Sequence, residues 1–172
     1  MNYSDMYTVT EFNSPLGQIT LVATKQGVSQ LLFEPSDATI LEFKNKSIPY
    51  KLIDVKQNPA ALQLIEYFEG RRKSFTIPLD INTTAFREKV WKTLLTIPYG
   101  KTMSYGQIAQ MIGNPKASRA VGGACGANPI PIVIPCHRVL TSDGRLGGYT
   151  GGTHIKKALL NLEGIVLRDG SI

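Results

Sequence analysis

The residues best suited to chemistry stand next to one another, at Cys136, His137 and Arg138. A thiolate is a far better nucleophile than a thiol, and a nearby imidazole or guanidinium can lower a thiol pKa and so supply the thiolate. Adjacency alone does not make such a pair, because neighbouring side chains of an extended segment point to opposite faces. The triplet therefore indicates a nucleophilic thiol, with an inert, packed cysteine as the alternative.

Two segments of contrasting stiffness flank the thiol. Residues 128–135 hold three prolines, which exclude helix and favour an extended backbone that ends at the cysteine. Residues 144–152 hold five glycines around Tyr149 and Thr150, which predicts a pliable loop that can close over a flat ligand. A loop without function is the alternative, and the phosphate-binding pattern G-x-x-x-x-G-K-[ST] does not occur.

A last helix is predicted from about Thr153 to Glu163, where Gly164 ends it. A carboxylate in the final turn opposes the helix dipole by about a few tenths of a kcal/mol, so Glu163 is locally unfavourable. We infer that it is kept there to orient His137. An ordinary exposed glutamate is the alternative.

Two short helices are predicted ahead of the thiol. Ser104 and Gln107 form a capping-box pattern that begins the first helix, which runs to about Ile112. Residues 113–115 are Gly-Asn-Pro, which suit the end of one helix, the N-cap of the next and its first turn. Helices joined this tightly are typical of a helix-turn-helix.

The second of these helices has one face with few side chains. Four residues are assigned to its core face: Ala117, Ala120, Val121 and Ala124. Three glycines share the opposite face with Arg119: Gly122, Gly123 and Gly126. Each interior glycine costs roughly 1 kcal/mol relative to alanine, so close approach of a large partner is the better explanation, with tight packing against protein as the alternative.

Charge and composition divide the chain at residue 81. Residues 1–81 hold eight Lys/Arg and nine Asp/Glu, whereas residues 82–172 hold eleven and four, for a net charge of +7. The first half shows β-rich runs at 7–12, 19–23 and 28–33, which predict an antiparallel meander, then a helix at 59–69 and an extended segment at 75–81. We predict an N-terminal lobe (1–81) and a basic C-terminal domain (82–172), whose charge indicates solubility or a polyanionic partner.

Several classes are disfavoured by composition. The first residues carry an acid where a signal peptide needs basic residues, and no stretch approaches 18 consecutive apolar residues. Two cysteines are too few for a disulfide framework, and a complement of only two histidines disfavours a four-ligand zinc site. We therefore expect a cytoplasmic protein without membrane association, cofactor or metal.

Eight motifs then appear in order across residues 85–164: Phe86-Arg-Glu-Lys-Val-Trp91, Ile97-Pro-Tyr-Gly100, Ser104-Tyr105, Arg119-Ala-Val-Gly122, Asn128-Pro129, Pro135-Cys-His-Arg-Val139, Gly148-Tyr149 and Glu163-Gly164. This series resembles the methylated-DNA–protein-cysteine methyltransferases, also called O6-alkylguanine-DNA alkyltransferases. The Pro-Cys-His-Arg-Val core and the helix before it are highly specific, whereas the N-terminal lobe fits loosely.

The resemblance implies a chemical role for each matching residue. Cys136 would accept the alkyl group, and His137 would take the thiol proton through a bound water. Glu163 would orient the histidine and compensate its charge, and Asn128 would hold the turn before the active-site segment. Tyr105 would help rotate the damaged nucleotide outward and bond its ring nitrogen.

The resemblance also implies how DNA is held. Val139 and Tyr149 would line the base pocket, and Thr150, where some relatives carry Ser, would offer a backbone N–H to the guanine oxygen. Arg119 would fill the place that the rotated base leaves in the stack, from the minor groove. The predicted DNA contacts are Ser104, Arg119, Ala120, Gly122, Gly123 and Arg138.

The implied fold is α/β (α+β): a small N-terminal antiparallel sheet lobe with a helix, ribonuclease H-like, followed by a mostly helical C-terminal domain with a winged-helix-like helix-turn-helix. The implied function is DNA repair by a monomer that moves the O6-alkyl group of guanine, and the O4-methyl group of thymine, onto Cys136 in a single turnover. Double-stranded DNA with an alkylated guanine is the expected partner. Two rivals are a non-catalytic module that senses damaged bases and a thiol hydrolase that uses Cys136 and His137.

Overall fold

The computed structural model describes residues 6–167. The chain divides into two compact units between Ile81 and Asn82. The described part excludes residues 1–5, on which the expectation that there is no signal peptide rests, and residues 168–172. Within that part, no helix has the length and apolar character needed to cross a membrane.

The first unit is built on a four-stranded sheet in the order β3-β2-β1-β4. The strands β1 (Tyr7–Ser14), β2 (Gly17–Ala23) and β3 (Val28–Leu32) pair antiparallel, as the alternating sequence predicts. The predicted meander of these three strands is thereby confirmed, and a fourth strand that the sequence did not predict, β4 (Tyr50–Leu52), pairs parallel with β1. Three residues carry too short a pattern to be recognised as a strand without their distant partner.

Two helices complete this unit. The first, α1 (Asp37–Asn45), was not predicted from the sequence. The second, α2 (Pro59–Phe68), follows Asn58, whose side chain accepts hydrogen bonds from the first backbone N–H groups of the helix. The extended segment expected at 75–81 forms a single bridge with β3 rather than a regular strand.

The second unit is mainly helical. Within the described residues its α-helices and strands are α3 (Ala85–Leu94), β5 (Met103–Ser104), α4 (Tyr105–Met111), α5 (Ser118–Gly126), β6 (Val139–Leu140) and α6 (Thr153–Leu162). The strands β5 and β6 pair parallel, and α5 packs against both α3 and α4. The mixed α+β fold, with a sheet lobe followed by a helical domain, is thereby confirmed.

The helix-turn-helix is formed by α4 and α5. Ser104 and Gln107 make the predicted capping box at the start of α4. The second helix begins at Ser118 and not at Pro115, because the carbonyl of Asn114 accepts the backbone N–H of Ala117 and closes a separate turn first. The connection between the helices is therefore longer than the glycine-proline pattern predicts.

Tertiary packing decides which face of α5 is covered. The Trp91 Nε1–H of α3 donates to the carbonyl of Ala124 at 2.8 Å and holds the end of α5 against the core. Val121 and Ala124 are buried, whereas Ala120 in the first turn is exposed. The assignment of Ala120 to the core face is therefore wrong, because the core shared with α3 and α4 does not reach it.

Candidate functional site

A buried turn, not an extended segment, leads to Cys136. The Ile134 N–H donates to the Ile130 carbonyl, Ile132 has φ of 74°, and residues 130–135 are all buried. Asn128 holds this turn, because its Nδ2 donates to the Ile134 carbonyl at 2.8 Å and lies 3.0 Å from the Cys136 sulfur. The expectation of a stiff, extended approach is wrong, since buried apolar side chains favour a compact turn here.

The sequence Cys136–Arg138 forms one turn of 3-10 helix. In this turn, neighbouring side chains therefore do not alternate between opposite faces as they would in an extended segment. His137 is fully buried, and its Nε2 lies 2.7 Å from Oε1 of Glu163. The structure thus brings together the cysteine, histidine and glutamate that the sequence singled out.

Glu163 caps the end of α6 as an ionised carboxylate. Burial by itself would raise the pKa of Glu163, but hydrogen bonds from His137 and Arg138 lower it to about 2. The backbone N–H of Gly100 also donates to Oε2 at 3.0 Å. These donors offset the unfavourable position of a carboxylate at a helix C-terminus.

Arg138 does not face solvent. Only 6% of it is exposed, and its guanidinium donates to both oxygens of Glu163 and to the carbonyl of Ile97. The prediction that Arg138 contacts DNA is wrong, because its N–H groups are used inside the protein.

The thiol of Cys136 is not poised as a resting thiolate. Burial raises its pKa, while the Asn128 amide, the charge of Lys156 and the Tyr149 hydroxyl act in the opposite direction. The sequence led us to expect that adjacent His137 and Arg138 would lower this pKa. That expectation is wrong, because the guanidinium is paired with Glu163 and burial dominates.

His137 is suited to the role of a base. Burial lowers its pKa, Glu163 raises it, and Arg138 and Lys156 lower it, so the neutral imidazole is favoured overall. A neutral imidazole that donates Nε2–H to a carboxylate has a free lone pair on Nδ1. Among residues 6–167, no hydrogen-bond partner contacts that Nδ1.

Lys156 is a member of the site that the sequence analysis missed. It is fully buried on α6, where its Nζ donates to the carbonyls of Leu146 and Gly148. Burial lowers its pKa to about 8, and the nearby thiols of Cys136 and Cys125 oppose that shift. Its only sequence signal is its spacing of four residues from the buried Leu160, which places it on the covered face of α6.

A cavity of about 780 Å³ opens beside Cys136. Predicted site residues in its wall are Tyr105, Arg119, Gly122, Cys136, Tyr149 and Thr150. Cys125 also lines it and was not predicted; burial and then Cys136 raise its pKa to about 12. Val139 is fully buried within β6 and is not among the residues that form the cavity wall, so its place in the base pocket stays a prediction.

The glycine loop and α5 both contribute to the cavity wall. The Thr150 hydroxyl donates to the Gly126 carbonyl at 2.8 Å and ties the loop to the end of α5. Gly122 is half-buried and faces the ring of Tyr105, whereas Gly123 is exposed. Burial, then the two thiols, raise the pKa of Tyr105 to about 12, so its hydroxyl stays a proton donor.

Metal binding has no support in the side-chain arrangement. No group of three or more His, Cys, Asp or Glu residues able to hold an ion occurs between residues 6 and 167. Fold and site together define a helix-turn-helix protein with a buried Cys-His-Glu constellation beside an open cavity.

Comparisons with known proteins give the family. Residues 85–165 match the DNA binding domain of 6-O-methylguanine DNA methyltransferase, and residues 6–81 match its ribonuclease-like domain. A methylated-DNA–protein-cysteine methyltransferase of Methanosarcina acetivorans is 43% identical over 89% of this chain and 96% of its own length. The constitutive protein of that name from Bacillus subtilis is 41% identical over 98% and 99%. The chain belongs to the methylated-DNA–protein-cysteine methyltransferase family.

Solved structures agree with this assignment. The O6-methylguanine methyltransferase of Mycobacterium tuberculosis superposes with a TM-score of 0.80 at 41% identity, covering 92% of this chain and 93% of that one. A second structure, of the M. tuberculosis protein in complex with DNA, gives a TM-score of 0.77 at 42% identity and covers 92% of each chain.

Proposed function

We propose that this protein repairs DNA by transferring the O6-alkyl group of a damaged guanine to the sulfur of Cys136. The observation that carries the proposal is the position of that thiol, which lines the cavity while His137 and Glu163 stand hydrogen-bonded beside it. The C-terminal domain, residues 82–172, would contain the whole alkyl-acceptor site. Family membership supports the same reaction.

In the proposed reaction His137 is the base. Its Nδ1 takes the thiol proton through a water, and Glu163, already ionised, stabilises the imidazolium that results. A sulfur–carbon bond forms as the carbon–oxygen bond to guanine breaks, and the guanine leaves with that electron pair and takes up one proton from water to become the neutral base. The product is a thioether at Cys136. A proton relay cannot break its sulfur–carbon bond, so each protein molecule reacts once.

Three further groups would stabilise the charge that develops during transfer. The Asn128 amide and the buried ammonium of Lys156 both lower the free energy of a thiolate at Cys136. The Tyr105 hydroxyl, kept protonated by burial, would donate a hydrogen bond to a ring nitrogen of the departing guanine. No cofactor is required by this chemistry.

The DNA duplex would approach the exposed face of α5. Arg119, Ala120 and Gly123 are exposed there, and small residues allow a sugar-phosphate backbone to come close. We propose binding from the minor groove by a monomer, with Arg119 in the place of the rotated base. The Ser104 hydroxyl oxygen accepts a backbone N–H at the start of α4. Its proposed contact with DNA is therefore secondary to this capping role. Repair of O4-methylthymine and a cytoplasmic location remain predictions.

Mass spectrometry after mixing the protein with duplex DNA that carries one O6-methylguanine tests the proposal. We expect each lesion to add one methyl group to one protein molecule, and no protein molecule to gain more than one. The repaired guanine should appear in the same amount as the methylated protein. Binding without a mass increase would identify a damage sensor. Repeated hydrolysis of a thioester substrate, with the thiol regenerated, would identify a hydrolase instead.

The fit between the loop and Tyr105 gives a second prediction. Gly147 has φ of 64°, and a Cβ there would lie 3.1 Å from the Tyr105 hydroxyl oxygen. We expect Gly147→Ala to slow methyl transfer by up to about tenfold, because the Tyr105 hydroxyl must give way by a few tenths of an ångström, and a displacement of about 1 Å at a reacting group costs about a hundredfold. Single-turnover kinetics measure the rate.

Gly144→Ala is the matched control for this variant. Gly144 also has a left-handed backbone, with φ of 81°, but an added Cβ meets open space. Both variants should therefore lose about 1–2 kcal/mol of stability from backbone strain, whereas only Gly147→Ala should slow transfer. Equal rates in the two variants would contradict the role given to Tyr105.

A further inference from the structure

Arg138 is a buried cation that is fully engaged inside the protein. Its Nε donates to Oε2 of Glu163 at 2.9 Å, and its Nη2 donates to Oε1 at 3.0 Å. Its Nη1 donates to the Ile97 carbonyl at 2.6 Å, and its Cζ lies 6.0 Å from the centroid of the Tyr99 ring. Contacts on three sides hold the guanidinium in one orientation against the carboxylate.

Two positively charged or chargeable groups share one carboxylate oxygen. Oε1 of Glu163 lies 2.7 Å from Nε2 of His137 and also accepts from Arg138. A buried carboxylate that faced the imidazole alone would strongly favour the imidazolium, which cannot take up a further proton. A permanent cation on the same oxygen cancels much of that preference.

We propose that Arg138 is a positioning residue for alkyl transfer, which keeps the His137 imidazole neutral by occupying the carboxylate that would otherwise hold it protonated. The inference rests on the proposed function, because a neutral imidazole matters only if His137 takes the thiol proton. It assigns to Arg138 a task within the site in place of the DNA contact expected from its charge.

The other groups around His137 support this balance. Burial lowers the pKa of His137, Glu163 raises it, and the cations Arg138 and Lys156 lower it; the thiol of Cys136 precedes it in the same turn. Removing the guanidinium leaves the carboxylate effect opposed only by burial and by Lys156. The pKa of His137 must then rise, so the base is lost at higher pH than in the wild-type protein.

The experiment compares Arg138→Met with Arg138→Lys across a pH series of single-turnover methyl transfer. We expect the acid limb of the rate profile to move to higher pH in the methionine variant. Where the assay pH lies below the His137 pKa, each further pH unit should slow transfer about tenfold. The lysine variant, which keeps the charge, should restore the position of that limb.

A direct readout comes from the imidazole itself. The chain has two histidines, so a ¹⁵N-labelled sample gives two pairs of ring-nitrogen signals, and a His154→Gln variant assigns them. The His137 signal should titrate at higher pH in Arg138→Met than in wild type. Arg138→Gln provides the same charge change should the methionine variant not fold.

The controls separate this role from a purely structural one. Arg87→Met removes an exposed arginine of α3 and should leave the acid limb where it is. Affinity of Arg138→Met for lesion-bearing duplex should equal that of wild type. A rate lowered equally at every pH, or an unmoved His137 titration, would overturn the inference. Failure of the wild-type protein itself to take up methyl would instead overturn the proposed function, while the titration would still measure the effect of Arg138 on His137.

Discussion

Replacing Cys136 with serine is expected to abolish methyl uptake while leaving the protein able to bind lesion-bearing DNA. The change removes one polarisable sulfur from a site where only 4% of the residue is exposed, and the Asn128 amide can still donate to an oxygen. A serine hydroxyl is far more weakly acidic than a thiol, so the His137 relay cannot prepare it for attack at an alkyl carbon. Intact-protein mass spectrometry should show no added methyl group.

Cys125 is the control for this variant, because it lines the same cavity. Cys125→Ser should still take up one methyl group, because the hydrogen-bonded pair of His137 and Glu163 stands beside the thiol of Cys136. No lysine or arginine lies between the two cysteines, so trypsin leaves both on one peptide, and fragment spectra must identify the modified sulfur. A methyl group on Cys125 in the wild-type protein or in Cys136→Ser would contradict the assignment of Cys136.

Glu163→Gln is expected to lower the transfer rate by about a hundred- to ten-thousandfold, the usual contribution of a positioned base. An amide cannot compensate the charge of an imidazolium at His137, and it leaves the Arg138 guanidinium without its carboxylate. Breaking a buried pair of this kind by removing one partner costs about 3–5 kcal/mol of stability. Single-turnover kinetics and chemical denaturation measure the two effects separately.

The same variant should change how stability depends on pH. The pKa of Glu163 is depressed to about 2, so its ionisation stabilises the folded state above the ordinary glutamate pKa. That contribution is lost as the pH falls from about 5 towards 2. Wild type should therefore lose stability more steeply than Glu163→Gln in this range. Parallel curves in thermal melts across these pH values would contradict the ion pair, and wild-type transfer rates in the variant would contradict the relay.

Local sequence was sufficient for the features that depend on neighbouring residues. The capping box at Ser104 and Gln107 follows from spacing alone, because both hydrogen bonds close within one turn. The start of α2 at Pro59 follows in the same way from the residue before it. The series of motifs between residues 85 and 164 was specific enough to indicate the family, and the whole-chain matches confirm it.

Features that depend on distant partners could not be derived from the sequence. The parallel pairing of β4 with β1 joins segments about forty residues apart in the chain. The three residues of β4 are too few to show a hydrophobic pattern that would predict this pairing. Ala120 looked like a core position by periodicity, but its burial depends on how far α3 and α4 extend along α5. Periodicity indicates that one face of a helix packs against the core, but it does not indicate at which residue that packing ends.

The chemistry of the site likewise depends partly on local sequence and partly on distant residues. The sequence by itself determined which residue types are present, so it identified Cys136, His137 and Glu163 as candidates. Only the tertiary structure decided their electrostatic states, because a pKa depends on burial and on charges brought from elsewhere in the chain. It turned Arg138 inward onto Glu163, buried Lys156 beside the thiols and raised the pKa of Cys136. The sequence left open whether this thiol is an activated nucleophile or an inert cysteine, and burial in the tertiary structure makes it a protonated group that needs its base.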